Sequence, residues 1–226
     1  MKNKFFLTFT RISEFFIKID FFPIPAAIPE KFSKSINNTI NDKTLNLLIV
    51  AREFYRKGVD IAIEVVNHLN AIGKDTKLVI VGNGEERNYL NKLVKRLDKE
   101  NPEKKLSSKI IFTGELKEPL NYIKNAKMIV IPSLWEGLPR VAIEAQALKT
   151  PIISACSKGG LGEILLDGNA GILTIPDDEN DLINAITLYE RDESLTLKHT
   201  KEGFENIDRF SLKSSSNNYL KVFSEL

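Results

Sequence analysis

KMIVIPSLWEGLPRVAIEAQALKTPIISA, residues 127–155, is the stretch whose reading decides the fold. It opens on an apolar run, KMIVIP (127–132), and breaks at a short loop holding Gly137. A helical stretch over 139–149 follows, and a second apolar run, PIISA (151–155), closes it. Neither run alternates polar with apolar residues, so each strand has two faces to bury. The connection is too long for a hairpin and suits a crossover helix. The stretch reads as a parallel βαβ unit.

The same alternation extends in both directions. Strands are predicted at LNLLIVA (45–51), KLVIVG (77–82) and KIIFTG (109–114) upstream, and at GILTI (171–175) downstream. Helices are predicted near 58–72, 84–100, 117–125 and 179–191. The fold class is therefore α/β: one Rossmann-like, doubly wound parallel sheet over about 45–192 with helices on both faces. Further helices near 194–206 and 212–224 finish the chain, so the domain takes residues 45–210 and a C-terminal helix takes 211–226. Residues 23–44 (PIPAAIPEKFSKSINNTINDKT) carry three prolines and many polar groups, the composition of a linker. In the Phe-rich segment 1–22, Phe5, Phe9, Ile12, Phe16 and Ile19 share one helical face. That face either packs on protein or lies on a membrane surface; the weakly basic polar side favours packing.

Composition narrows the function. In 226 residues, 32 basic against 30 acidic side chains leave +2, so no global field favours nucleic acid. One cysteine, Cys156, two distant histidines, His68 and His199, and no DxD pair argue against a metal site. Lys2 and Lys4 precede a Phe-rich run interrupted by Arg11, Glu14 and Lys18, unlike a cleaved signal and too charged to span a bilayer. A cytoplasmic location is expected, with peripheral contact at the inner face of a membrane as the variant.

The loop after KMIVIP is where chemistry is expected. Pro139 sits where a helix would begin, a position that suits proline because its missing N–H would be unpaired there. The open amides and dipole of that helix end form an anion site. Glu136 in the loop and Glu144 about one and a half turns into the helix could accept hydrogen bonds from sugar or ribose hydroxyls. Read alone, a solvated loop glutamate and a surface helical glutamate account for them better.

The order of features adds to this. PSLWEGLPRVAIEAQALKTPII resembles the signature of the family 4 retaining glycosyltransferases, two-domain enzymes of the B-type architecture. Ala51-Arg52-Glu53-Phe54-Tyr55-Arg56-Lys57-Gly58 is similar to the family's GR…KG segment, with Ala51 in place of a glycine. LVIVGNGEER (78–87), IIFTGEL (110–116) and GEILLDGNAGILTIPDDENDLINAI (162–186) fall in family order, so the likeness covers about 45–210. The resemblance implies a C-terminal, donor-binding domain. It implies Glu144 on the ribose, Glu136 beside the donor sugar, and the Gly137 and Leu138 backbone along the phosphates. It implies Arg52 and Lys57 on the diphosphate, and Gly82 and Leu116 at the nucleotide. Pro139 stands where many members have a second glycine, which removes one amide.

The implied function is retaining transfer of a hexose from a nucleoside diphosphate sugar, with no separate cofactor, to a sugar or lipid-linked sugar hydroxyl. Members of this look often build bacterial surface polysaccharides from uridine-linked donors. The linker-like PIPAAIPEKF (23–32) leaves too few residues before it for an acceptor domain, so that site is expected from elsewhere, such as a separate subunit. The alternatives are a non-catalytic nucleotide-sugar-binding module or an inactive fragment.

Weaker signals point elsewhere. Gly82-Asn83-Gly84 starts like a dinucleotide fingerprint but meets Arg87 at the third glycine position, so a tight strand-to-helix turn is expected rather than NAD binding. Asp177, Asp178, Glu179 and Asp181 are read as the cap and first turn of a helix, not as cation ligands. Gly159-Gly160 with Gly162-Glu163 reads as a loop, either near the donor sugar or ordinary. Trp135 is expected to pack the loop, and Cys156 to be a buried structural residue.

Overall fold

The computed structural model describes residues 45–52, 54–155 and 159–224. The expectations for 1–22, 23–44 and Cys156 fall outside them. In chain order the elements are β1 (Leu45–Val50), α1 (Val59–Ala71), β2 (Thr76–Val81), α2 (Arg87–Glu100), β3 (Ile110–Gly114), α3 (Leu120–Asn125) and β4 (Met128–Ile131). Then follow α4 (Arg140–Ala147), β5 (Ile152–Ala155), α5 (Leu161–Ile164), β6 (Ile172–Thr174), α6 (Glu179–Arg191), α7 (Glu193–Glu205) and α8 (Leu212–Ser224). Residues 45–204 form one compact unit and 205–224 belong to a second. In the second, Ser211 caps α8: its Oγ accepts the Ser214 amide proton at 3.2 Å.

Every strand pair is parallel, in the order β3-β2-β1-β4-β5-β6. The apolar runs dictate this. Leu45, Leu47, Ile49 and Ala51 join α1, α2 and α6 in one buried cluster, while the alternate residue Leu48 is equally buried on the other face. There Ile129 and Ile152 also disappear from solvent, and α4 packs on β5, α3 and α5. Strands buried on both faces need helices on both faces.

Two helices end in the same way with different residues. After α1, Gly73 at φ 88 turns left-handed, and the Gly73 and Lys74 amides donate to the Asn70 and Leu69 carbonyls. After α4 the left-handed position is Lys149, φ 55, with Lys149 and Thr150 donating to Gln146 and Ala145. Both are Schellman closures. Without a glycine to mark the second, the sequence reading ran α4 on to 149.

Other boundaries moved for local reasons. α4 begins at Arg140 because Pro139 is extended, ψ 111, and serves as the N-cap rather than the first helical residue. α3 begins at Leu120 rather than 117, since Pro119 disfavours a helical conformation in the residue before it. α2 begins at Arg87, because Gly84 is pressed against the Phe54 ring and the Arg52 carbonyl. Gly162 and Glu163, read as loop, lie in the short helix α5.

The Asp-rich segment caps α6: Asp178 accepts the Asp181 amide proton at 3.0 Å, and Asp181 accepts that of Ile175 at 2.7 Å. Deeper in α6, the Tyr189 hydroxyl lies 3.3 Å from the Ile152 carbonyl and 2.9 Å from His199 Nδ1 on α7. Both side chains are buried. Burial, reinforced by Lys198, holds the His199 imidazole below its ordinary pKa. The unfolded chain therefore binds that proton more readily, and stability falls as pH drops from the ordinary histidine value toward the lowered one. Tyr189→Phe, which strands the imidazole, should lower unfolding free energy by about 1–3 kcal/mol in urea titrations.

Candidate functional site

β1 and β4 are hydrogen-bonded neighbours, yet β1 leads outward to β2 and β4 leads outward to β5. Their connections diverge, and at such a reversal point a doubly wound sheet leaves a crevice beyond the carboxyl ends of its strands. The loop after β1 (51–58) and the loop after β4 (132–139) face each other there.

Two backbone contacts bring the loops together. Gly58 adopts φ 63, and a Cβ at that position would collide with the Pro132 carbonyl. The Leu134 amide donates to the Arg56 carbonyl at 3.0 Å. The turn itself is held by Gly58 N–H to Tyr55 O, 3.0 Å, and Val59 N–H to Phe54 O, 3.1 Å. On this footing Lys57 reaches across, its Nζ lying 2.5 Å from Glu136 Oε1. The same oxygen accepts the Ser133 hydroxyl at 2.6 Å. Glu136 is only 5% exposed, so it is not the solvated loop carboxylate that its position alone suggested. A charge so placed persists only with a counter-charge and hydrogen bonds, and it has both.

A second brace comes from the β5–α5 connection. Gly159, φ 133, passes over the Glu136 carbonyl so closely that any side chain would overlap it. The Gly160 amide donates to the Gly137 carbonyl at 2.5 Å. The two glycines therefore clamp the 136–138 loop. Behind that loop, α4 starts without any side-chain cap at its N-terminus, just after Gly137 and Leu138.

The other expected residues are placed differently. Arg52 is 88% exposed, and its guanidinium approaches Glu115 only at 3.9 Å. Glu144 lies on α4, half-buried, with Arg140 at 3.6 Å. Burial raises its carboxyl pKa, and Arg140 partly offsets the rise. Gly82, φ 129, leaves room for the Ala51 carbonyl and donates its amide to Gly114 O at 2.8 Å. What Gly82 contributes is the lack of a side chain, not a free donor. Leu116 is half-buried two residues beyond β3. No direct bond joins any of these four to Lys57 or Glu136 among the described residues.

Three features escaped the sequence reading. Ser133 carries no signal of its own, because a buried hydroxyl three residues before a glutamate matters only once the loop is folded. Gly159 and Gly160 were seen, but their closeness to Glu136 was not. Arg87, noted only as breaking a glycine pattern, lays its guanidinium 3.6 Å from the centre of the Phe112 ring, which itself meets Phe54. Trp135 departs from expectation: it is 55% exposed rather than packed, and Arg56 stacks over it at 4.5 Å. The buried Lys57–Glu136 pair holds the loop conformation, and that conformation turns the indole outward.

A parallel sheet in the order 3-2-1-4-5-6, with paired loops at the reversal point, defines a doubly wound α/β domain. The chain belongs to the glycosyl transferases group 1 family, which it matches over residues 30–206. An uncharacterized glycosyltransferase of Methanocaldococcus jannaschii is 31% identical over 160 residues, 65% of this chain and 37% of that protein. A Campylobacter jejuni α-1,4-N-acetyl-D-galactosaminyltransferase acting on a diNAcBac-PP-undecaprenol-linked glycan is 26% identical over 200 residues, 88% of this chain and 53% of that one. The chain thus spans between about a third and a half of the length of these relatives. Anabaena HepE, solved in complex with UDP, has the same fold: TM-score 0.71 at 21% identity, covering 81% of this chain and 50% of HepE.

The two cations should respond differently to substitution. Lys57→Met leaves Glu136 buried with only Ser133, and should reduce stability by about 3–5 kcal/mol. Arg52→Ala removes an exposed, long-range contact and should shift stability by less than ~0.5 kcal/mol. Denaturant unfolding of both variants measures the contrast.

Proposed function

We propose that residues 45–210 are the donor-binding half of a retaining hexosyltransferase. The donor is a nucleoside diphosphate sugar, with uridine as the base. The acceptor is a sugar or lipid-linked sugar hydroxyl, held by an acceptor domain on a longer chain or a separate subunit, in the synthesis of a bacterial surface polysaccharide. The observation that carries this reading is the Lys57–Glu136–Ser133 cluster at the β1/β4 reversal point.

Its chemistry suits the task. An ammonium has three donors, and Glu136 occupies one, leaving two for diphosphate oxygens. A carboxylate accepts about four hydrogen bonds, and Glu136 uses two on Lys57 and Ser133, so a sugar hydroxyl can still be bound. The uncapped start of α4 adds amides for a phosphate. Arg52, unrestrained at the rim, closes on the diphosphate from the other side. In the transfer, the bond from the anomeric carbon to the diphosphate oxygen breaks and a bond to the acceptor oxygen forms on the same face. The acceptor proton passes to the departing diphosphate. Negative charge grows on that leaving group, and fixed cations and amides lower the barrier by being in place beforehand. UDP bound in HepE, which has the same fold, supports uridine as the base.

Calorimetric titration with UDP, GDP, ADP and NAD tests the reading. Saturable binding of UDP alone is expected, lost in both Glu144→Ala and Arg52→Ala with circular dichroism unchanged. Binding of NAD, or of no nucleotide, would overturn it.

The pH dependence carries a sign. Ribose hydroxyls need the ionised Glu144, since protonation turns one of its acceptor oxygens into a donor. Burial raises the Glu144 pKa, so UDP affinity should fall on acidification at a pH above that of an ordinary carboxylate. The same raised pKa makes the ionised form a burden on folding, so stability should decline slightly as pH rises through that window. Affinity measured across the acid range should lose this step in Glu144→Gln.

A further inference from the structure

The pairing of the two loops sorts their side chains. Lys57 and Glu136 turn inward and meet, while Tyr55 (65% exposed), Leu134 (36%) and Trp135 (55%) turn out to water. Leu134 N–H bonds to Arg56 O, so Tyr55, next to Arg56, and Trp135, next to Leu134, stand on loop segments joined at that point. A tryptophan carries a large apolar face that is usually buried, and where it stays exposed beside a polar crevice it is suited to a ligand with one flat apolar side.

Trp135 is also held in place. The Arg56 guanidinium lies over its ring at 4.5 Å, and more than half of the residue is still open to water with that face covered. A ring fixed in this way loses little freedom when something stacks on it. A pyranose suits such a ring, because its axial C–H groups form one flat apolar side.

We propose that Trp135, fixed by Arg56 and flanked by Tyr55 and Leu134, is a stacking platform for a pyranose ring of the acceptor glycan. This rests on the donor reading above, which puts the donor sugar on the inward side of the same loop, against Glu136. Trp135, next in the chain and facing outward, then borders the group that approaches the donor sugar from solvent.

The chain has one tryptophan, so its fluorescence reports on this position alone. The full chain is titrated with methyl α-D-glucopyranoside, methyl N-acetyl-α-D-galactosaminide and maltotriose, with and without saturating UDP. UDP binding is followed by calorimetry on the same sample. The expected result is a saturable blue shift at millimolar glycoside with loss of acrylamide quenching. Saturation-transfer NMR to the glycoside should vanish in Trp135→Ala with circular dichroism unchanged. UDP binding without any response of Trp135 to the glycosides overturns the platform and leaves the donor reading standing. A response to UDP-glucose but to no free glycoside assigns the ring to the donor and also overturns it. A glycoside response without UDP binding removes the donor reading and, with it, the assignment of the ring to an acceptor.

Discussion

The close approach of Gly58 to Pro132 underlies the rest of the site. With no Cβ and a left-handed backbone, Gly58 lets the turn after β1 rest directly on the carbonyl that ends the strand β4 segment. Any larger residue would push the two loops apart, and Lys57 would no longer reach Glu136. A glutamate with 5% exposure is costly to bury without that lysine, so the ion pair and the backbone contact support each other. Ser133, also buried, satisfies the same oxygen and fixes the rotamer.

The second clamp makes this arrangement rigid. Gly159 and Gly160 close over the backbone of the 136–138 loop, so segments following three strands meet around the loop that carries the Glu136 carboxylate. Groups built in this way keep their geometry before a ligand arrives, which is what electrostatic stabilisation of a leaving group requires. Around this centre stand exposed groups carried by the loops, Arg52, Tyr55 and Trp135.

Much of the fold was legible because both-face apolar runs leave few options. Six short runs separated by helix-length connections admit a parallel sheet and little else, and all six formed. The boundaries that moved did so through single contacts, Gly84 against Phe54, Pro119 after Glu118, and Lys149 taking a turn usually given to glycine. Glutamates 136 and 144, Arg52 and Lys57 were recognisable as a pattern in order along the chain. Their environments were not. A loop glutamate next to a tryptophan looks solvated on paper and the tryptophan packed, and nothing local says that the glutamate turns in and the tryptophan out.

The amino-acid order by itself determined the elements, their parallel pairing and the residue types at the strand ends, since these depend on periodicity and on backbone limits acting within a few residues. Tertiary structure alone decided which of those residues meet. Lys57 and Glu136 are 79 positions apart, and they come together only because β4 pairs with β1 on the side opposite to β2. That choice of neighbour is made by the burial of both sheet faces across the whole domain. It then determined the charge, burial and orientation of each group at the crevice, because a buried carboxylate must find its cation wherever the sheet order places one.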